Sequence, residues 1–553
     1  MPLSKRDTEF RLPRITYIDY KQLEMDRVLT AFLARLTHNG LSSRLTRKGL
    51  LRVEQFVDEA IDHPEWFQDF QLDRDLVGRW IETHLMDVVN RGKPDQTIAA
   101  PRPLHGFTYK FRNPRHSRDY GAAQQLYEML HHARHGIGRA ALEHLQSFFF
   151  EGHDKLTGKA GASTELDVET QALLRFLDQV KDAPEKSVGR ESFPPMCTGN
   201  AELMAEDIQR LLYYRSRIPR SVMVDYIKAL LSFHLALNQL RIMKMLPDWV
   251  SRESSDPLCA VGKCPMQPRE NSEPFGDCNY QLGLLIDMAQ NANGAMARLS
   301  ERSAQAHYRR ANRFIKASYT VRKLDEFATD LVRRGKISKP EKGYFTVPEL
   351  VGFLDKPYSE SRRNFFEQRI SGLIADSHGD ATDLDPELQA AIDLQLDELE
   401  TYIEMLVSTR GRYHRRYLLQ CLDSLLMKNR DGALIAQART KGAPRRFVMD
   451  SRMLEVLLQL AVLRPGRSGG FVTSELRVDD LISWLRERYG VFIDRLPSGD
   501  GFGEPSIDEL RALRQNREAF LGRLREIGFY RDLSDAYVTQ TVTPRYEIRE
   551  DAP

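Results

Sequence analysis

Near its C-terminus the chain stops reading as helix, and that change limits the folds open to it. From Ser451 onward, three helical segments precede a β-rich run. The first, "SRMLEVLLQLAVL", carries apolar residues at helical spacing and ends at Pro465 and Gly466. The second, "ELRVDDLISWLRERYG", sets Leu476, Leu481, Ile482, Leu485 and Tyr489 on one face, and Gly490 can stop it. The third, "SIDELRALRQNREAFLGRLREIG", ends at Gly528. The closing run, "GFYRDLSDAYVTQTVTPRYEI", is rich in β-branched and aromatic residues and breaks at Ser534 and Asp535, so it predicts a hairpin. Three helices followed by a hairpin is the winged-helix order. Its third helix is expected in the major groove of duplex DNA and its hairpin along the backbone or minor groove. Arg511, Arg514, Arg517, Arg523 and Arg525 crowd that helix, and Arg531 and Arg545 fall on the wing. Such side chains neutralise phosphate, and arginine also reads guanine edges. A winged helix can equally dock a protein, and a basic surface helix can simply be solvated.

The rest of the chain reads mostly as helix, so the expected fold class is mainly α: a multi-domain helical protein with a C-terminal winged-helix domain of three helices plus a β-hairpin. At roughly 150 residues per domain, 553 residues allow about three or four. Composition and punctuation divide the chain into an N-terminal helical part (1–118), a central helical part (119–250), a Pro-rich loop with cysteines (251–280), a basic helical region (281–375), an acidic helix with its connecting helices (376–446), and the terminal unit (447–553). The most apolar helix, "VMVDYIKALLSFHLALNQLRIMKML", is interrupted by Asp225, Lys228, His234, Arg241 and Lys244, which disqualifies it as a membrane span. The polar start, "MPLSKRDTEFRLPR", lacks an apolar core segment. A cytoplasmic protein without membrane contact is expected. The net charge of +2 leaves any case for nucleic acid to local charge.

One such local concentration is 298–342, with thirteen Lys or Arg against five acids and Tyr308, Phe314, Tyr319 and Phe327 interleaved. On one helix, Arg302, Arg309, Arg313 and Lys316 share a face and could track phosphates. "FTVPELVGFL" then opens with a capping box from Thr346 to Glu349, and a turn at 356–359 leads into "SRRNFFEQRI". That is a candidate helix-turn-helix with Arg362, Arg363 and Arg369 on its second helix. The competing reading makes the aromatics core and pairs the basic side chains with 376–404, which holds ten acids and no Lys or Arg.

Cys259, Cys264 and Cys278 lie in the Pro-rich loop, and Cys197 could supply a fourth thiolate. Four thiolates suit a tetrahedral structural zinc, which would pin a loop with little core of its own. Unligated thiols are the plainer alternative, since the spacing is not a paired C-x2-C motif. Cys421 reads as buried packing and His234 as a satisfied core histidine. Seven of the fourteen histidines fall between 105 and 153, with Glu128, His131 and His135 at helical spacing. A Glu-x-x-His helix can bind metal, but the second matching helix is missing. "GHDKLTGKA" is one residue too long for a phosphate loop, and Ala160 stands where Ser or Thr should hold magnesium. Ala160 also replaces the Asp of a phospholipase-like H-x-K motif. No nucleophile elbow, HExxH or dinucleotide fingerprint is present, so catalysis is not expected.

The stretches "LLSFHLALNQLRIMKMLP", "SLLMKNRDGALIAQARTKGAPRRFVMDSRMLEVLLQLAVL" and "LREIGFYRDLSDAYVTQTVTPRYEI" together resemble large helical proteins of bacterial anti-phage defence islands. The nearest match is to a non-catalytic component of the methylation-associated defence system. This resemblance covers roughly the second half of the chain and transfers no catalytic residue. It implies a subunit working beside a methyltransferase, an ATPase or a nuclease. The resulting expectation is a DNA-binding sensor or adaptor. The alternatives are a protein-interaction scaffold and a metal-dependent nuclease using the His-rich region.

Overall fold

The computed structural model describes residues 4–45, 52–63, 73–89, 98–112, 117–152, 166–177, 182–184, 191–251, 278–378, 385–466, 470–531 and 540–549. Among them the protein is mainly helical, with short strands between and after the helices. No helix among the described residues is long and apolar enough to cross a membrane.

The apolar helix anticipated around 222–246 is the centre of the structure. It spans Arg220–Ser251, and every residue from Ala229 to Met243 is buried. A helix that is apolar on all sides must be surrounded. For ease of reference the helices that build the core are α1 (Met25–Thr37), α2 (Ala122–His132), α3 (Ile137–Phe149), α4 (Thr198–Leu212), α5 (Arg220–Ser251), α6 (Ala295–Arg333), α7 (Val347–Gly352), α8 (Ser359–His378), α9 (Pro386–Asp393), α10 (Glu398–Leu425), α11 (Ser451–Ala461), α12 (Val478–Tyr489) and α13 (Ile507–Glu526). Helix α5 packs against α1, α2, α4, α6, α10 and α11. The central helical part was expected to run to 250, and the helix does so, ending at Ser251. Pro247 sits inside its last turns, and Trp249 beyond it is buried.

Helix α6 has 39 residues and is about 58 Å long at the α-helical rise. Its buried positions recur at Leu299, Ser303, His307, Phe314 and beyond, the spacing of one helical face. Helix α10 lies against it, and α9 and α8 pack on α10. The expected capping box at Thr346 and Glu349 opens α7, and the expected turn is a short 3-10 helix at Lys356–Tyr358. Helix was expected to resume near 280. Instead β1 (Leu284–Leu285) comes first, and α6 begins only at Ala295.

Strands β2 (Ile435–Gln437) and β3 (Arg445–Phe447) form a hairpin beside α6. The terminal unit then runs α11, an antiparallel strand pair of Leu463–Pro465 with Phe471–Thr473, β4 (Leu476–Arg477), α12, β5 (Val491–Phe492), α13, β6 (Tyr530–Arg531) and β7 (Thr541–Val542). Strand β7 lies between β4 and β6, antiparallel to both. Strand β5 pairs in parallel with the distant β1. Gly490 ends α12 at φ 73°, and a Cβ there would lie 2.1 Å from the Leu282 carbonyl oxygen. Asn516 of α13 clamps the same junction. It accepts from the Met288 N–H at 2.8 Å and donates to the Ile286 and Ile493 carbonyls, both at 2.8 Å. The terminal unit is therefore stitched to the body, and one contiguous set of buried apolar side chains extends from Phe10 to Val542. A smaller cluster of Leu285, Met296, Leu299, Phe502, Ala512 and Leu513 fills the seam between α6 and α13.

A buried polar network fixes α12 to α4 and α5. Asp207, with no exposed surface, accepts from Arg488 Nη2 at 2.6 Å, Tyr489 Oη at 2.7 Å and His234 Nε2 at 3.0 Å. Burial opposes its charge, but Arg488 and His234 hold the carboxyl down at about 2. His234 is thus the core histidine expected from sequence, but it is satisfied only through Nε2: its buried Nδ1 has no hydrogen-bond partner among the described residues.

Candidate nucleic-acid interface

The arginines of the terminal unit are largely occupied. On α13, Arg511 pairs with Asp508 at 3.5 Å, Arg517 with Asp479 at 2.6 Å, and Arg523 with Glu526 at 2.8 Å. Arg525 lies over the Tyr530 ring at 4.8 Å, and Arg514 is exposed. Arg545 reaches Glu455 at 3.9 Å and the Tyr546 ring at 5.7 Å. Arg531 lies on β6, and the tip of the hairpin, 532–539, falls outside the described residues. The outer face of α13 also carries Ile507 and Leu510, 78% and 52% exposed.

The aromatics of the second basic region are core. Tyr308, Phe314, Tyr319 and Phe327 are all buried along α6. Several of its cations pair with acids: Lys316 with Glu404, Arg310 with Asp500, and Arg334 with Asp330 at 2.7 Å. Arg363 joins Glu367 at 2.9 Å and Glu398 at 3.1 Å, and Arg362 donates to the Phe353 carbonyl at 2.9 Å, closing α7. Glu398 and Glu404 belong to the acidic segment, so part of it does meet the basic side chains.

What remains is a groove. Helix α6 presents Arg298, Arg302 and Arg309 along one wall, with the exposed Arg313 one turn beyond. Arg415 of α10 and Arg445 of β3 complete a hollow of about 640 Å³, with Tyr308 and Leu419 among its lining. Arg302 lies over the Phe502 ring at 4.0 Å and pairs with Glu509 at 3.3 Å. A second hollow of about 530 Å³ continues past Arg415 and is bounded by α6, α9 and α10.

The positive wall is rigid. Asp423 receives Arg445 at 2.7 and 2.8 Å, Lys428 at 2.7 Å and the Tyr308 hydroxyl at 2.9 Å. Burial pushes the Asp423 carboxyl up, yet Arg445 and Lys428 hold it below the ordinary range. Arg445 is thereby fixed over the Tyr308 ring at 4.8 Å. Beneath the groove, burial holds His307 at about 4, so it adds no charge at neutral pH.

The arginines of α10 were not singled out in the sequence. Their signal is "RGRYHRRY" at 410–417, four arginines and two tyrosines in eight residues. Arg412, Tyr413, Arg415 and Arg416 are exposed there. Nothing in the local sequence says that this run faces Arg302 and Arg309, about a hundred residues earlier.

The histidine-rich region does not converge. Helix α2 ends at His132, and His135 lies beyond it at φ 58°, so His131 and His135 are not successive turns of one helix. Glu128 is buried, accepts from Ser192 Oγ at 2.6 Å and lies 3.5 Å from His132, while His131 stacks on Tyr127. No group of three or more His, Cys, Asp or Glu is placed to hold a metal ion among the described residues. Cys259 and Cys264, and the 153–160 stretch, lie outside those residues. Cys197 is buried just before α4, Cys278 is half-buried, and burial pushes the Cys421 thiol up to about 12.

No curated protein matches the chain. The sequence profile of the methylation-associated defense system protein MAD7 matches residues 5–546, nearly its whole length. The chain belongs to the methylation-associated defense system protein MAD7 family.

Proposed function

We propose that the protein is a non-catalytic, DNA-binding adaptor subunit of its defence system. The observation that carries this reading is the groove between α6 and α10, where Arg298, Arg302, Arg309, Arg415 and Arg445 line one hollow against a single acid, Glu301. Clustered arginines on a concave surface concentrate positive potential and suit a phosphate backbone. The terminal unit supports the same reading in a secondary way. Its helices α11, α12 and α13 and the strand order β4, β7, β6 fit a winged helix, and Arg514 faces outward from α13. Membership of a multi-protein defence system supports other defence proteins as partners.

Charge reversal tests it. Full-length protein is titrated into labelled duplex and single-stranded DNA, alongside Arg309→Glu with Arg415→Glu and, separately, Arg514→Glu. The groove variant should lose at least tenfold in affinity, and Arg514→Glu should lose less. Unchanged affinity in the groove variant overturns the reading.

A second reading is favoured by Ile507 and Leu510, which leave two large apolar side chains in water on α13. Arg511 beside them is paired with Asp508, which makes that end of α13 suited to a partner protein of the same system. Ile507→Asp with Leu510→Asp should abolish co-purification with such a partner while leaving DNA affinity intact. Retained co-purification removes this reading.

A further inference from the structure

We infer that the groove takes an unpaired nucleic-acid strand, with one base seated in the hollow bounded by α6, α9 and α10; this rests on the reading that the groove binds nucleic acid. The chemistry of the hollow is divided. Arg412 and Arg415 stand on one side. Ile315, Ala390 and Val407 give it an apolar lining, and Ile315 is fully buried. Asn312 and Glu387 also line it. A phosphate is drawn to the arginines and repelled by Glu387. A base has the opposite preference: its faces suit the apolar lining, its exocyclic amines suit a carboxylate acceptor, and an amide both donates and accepts.

Size points the same way. The two hollows, about 530 and 640 Å³, meet at Arg415. Each is in the range that encloses one small ligand. A duplex keeps its bases stacked inside and presents only phosphate and groove edges to a cleft of this kind. An unpaired strand can place a phosphate on Arg415 and turn its bases into the hollows on either side. Single strands are commonly held by positive side chains that follow the backbone and by aromatic side chains on which bases stack; here the aliphatic Ile315 and Val407 take the place of the aromatics. The occupant is therefore single-stranded, or a duplex with a locally unpaired stretch, and sequence preference is weak.

The test uses the full chain and fluorescence anisotropy with three probes of equal length: a single strand, a blunt duplex and a duplex with a central gap. Ala390 is exposed on α9, so Ala390→Trp fills the hollow without removing a charged or buried side chain. The wild type should prefer the single strand and the gapped duplex over the blunt duplex by about tenfold, the scale of one base contact. Ala390→Trp should remove that preference, bringing the affinity for the single strand and the gapped duplex down to that for the blunt duplex. Equal affinity for all three probes, with Ala390→Trp inert and Arg415→Glu still weakening every one, would overturn the inference and leave the groove as a duplex site. No binding of any probe would overturn both. Arg415→Glu without effect on single-strand binding would place the strand elsewhere and also overturn it.

Discussion

Replacing Arg488 by Met should unsettle the protein far from any surface. Arg488 donates to Asp207 at 2.6 and 3.2 Å and to Glu206 at 3.0 Å, linking α12 to α4. Asp207 has no exposed surface, so the variant leaves a carboxylate with Tyr489 and His234 as donors and no neighbouring fixed cation from α12. Breaking a buried ion pair from one side costs about 3–5 kcal/mol. Against a total stability on the order of 5–15 kcal/mol, that is a large share. A urea titration followed by tryptophan fluorescence suits the site, because Arg488 lies over Trp484 at 5.7 Å. With a slope of about 3 kcal/mol/M, the transition that reports α12 should move down by about 1 M or more. Adding Asp207→Asn to the same chain should recover part of the loss, since the unpaired charge is then gone. A shift smaller than about 0.2 M in the single variant would refute the argument that this network holds α12 in place.

Other consequences are direct. Burial holds His307 and His414 at about 4, and in the unfolded chain both return to about 6.5. The unfolded state therefore binds more protons between those values, so melting temperature should be level above pH 6.5 and fall as pH drops from 6.5 to 4; a flat profile across that window contradicts the assignment. Asp207 and Asp423, both held low, add a further loss below about pH 4, visible in the same melts. Asn516→Leu strands the Met288 N–H and the Ile286 and Ile493 carbonyls, and should cost about 3 kcal/mol in the denaturant assay. Gly490→Ala forces a left-handed residue against the Leu282 carbonyl and should destabilise by more than about 1 kcal/mol, read as a lower melting temperature.

How far the sequence foretold this structure varies by element. Helix α5 was legible because an apolar run with sparse charges has one soluble solution, the centre of a helical body. The capping box of α7 and the stop at Gly490 were legible because each is a local hydrogen-bonding or backbone requirement. The helix, helix, helix and hairpin order at the C-terminus was read from local periodicity. Its third strand, β4, and the strand pair Leu463–Pro465 with Phe471–Thr473 between the first two helices were not: two or three residues carry too little pattern to show. The pairing of β5 with β1 spans some two hundred residues, and no local signal encodes it. His131 and His135 misled because spacing alone assumed a helix that ends at His132. The groove was half legible. Arg302 and Arg309 were singled out by their face on α6, but their neighbours Arg415 and Arg445 join them only through tertiary packing. Counting arginines along α13 overstated its charge, because partners such as Asp479 come from another helix.

The most direct test of the central claim is the salt dependence of DNA binding. If Arg302, Arg309, Arg313, Arg412 and Arg415 each meet a phosphate, log affinity should fall with log salt at a slope of about −3.5 for a single strand. That is about a hundredfold loss between 50 and 200 mM salt. Arg309→Ala with Arg415→Ala should bring the slope to about −2. Affinity that is absent, or a slope that these two substitutions leave unchanged, would contradict the account.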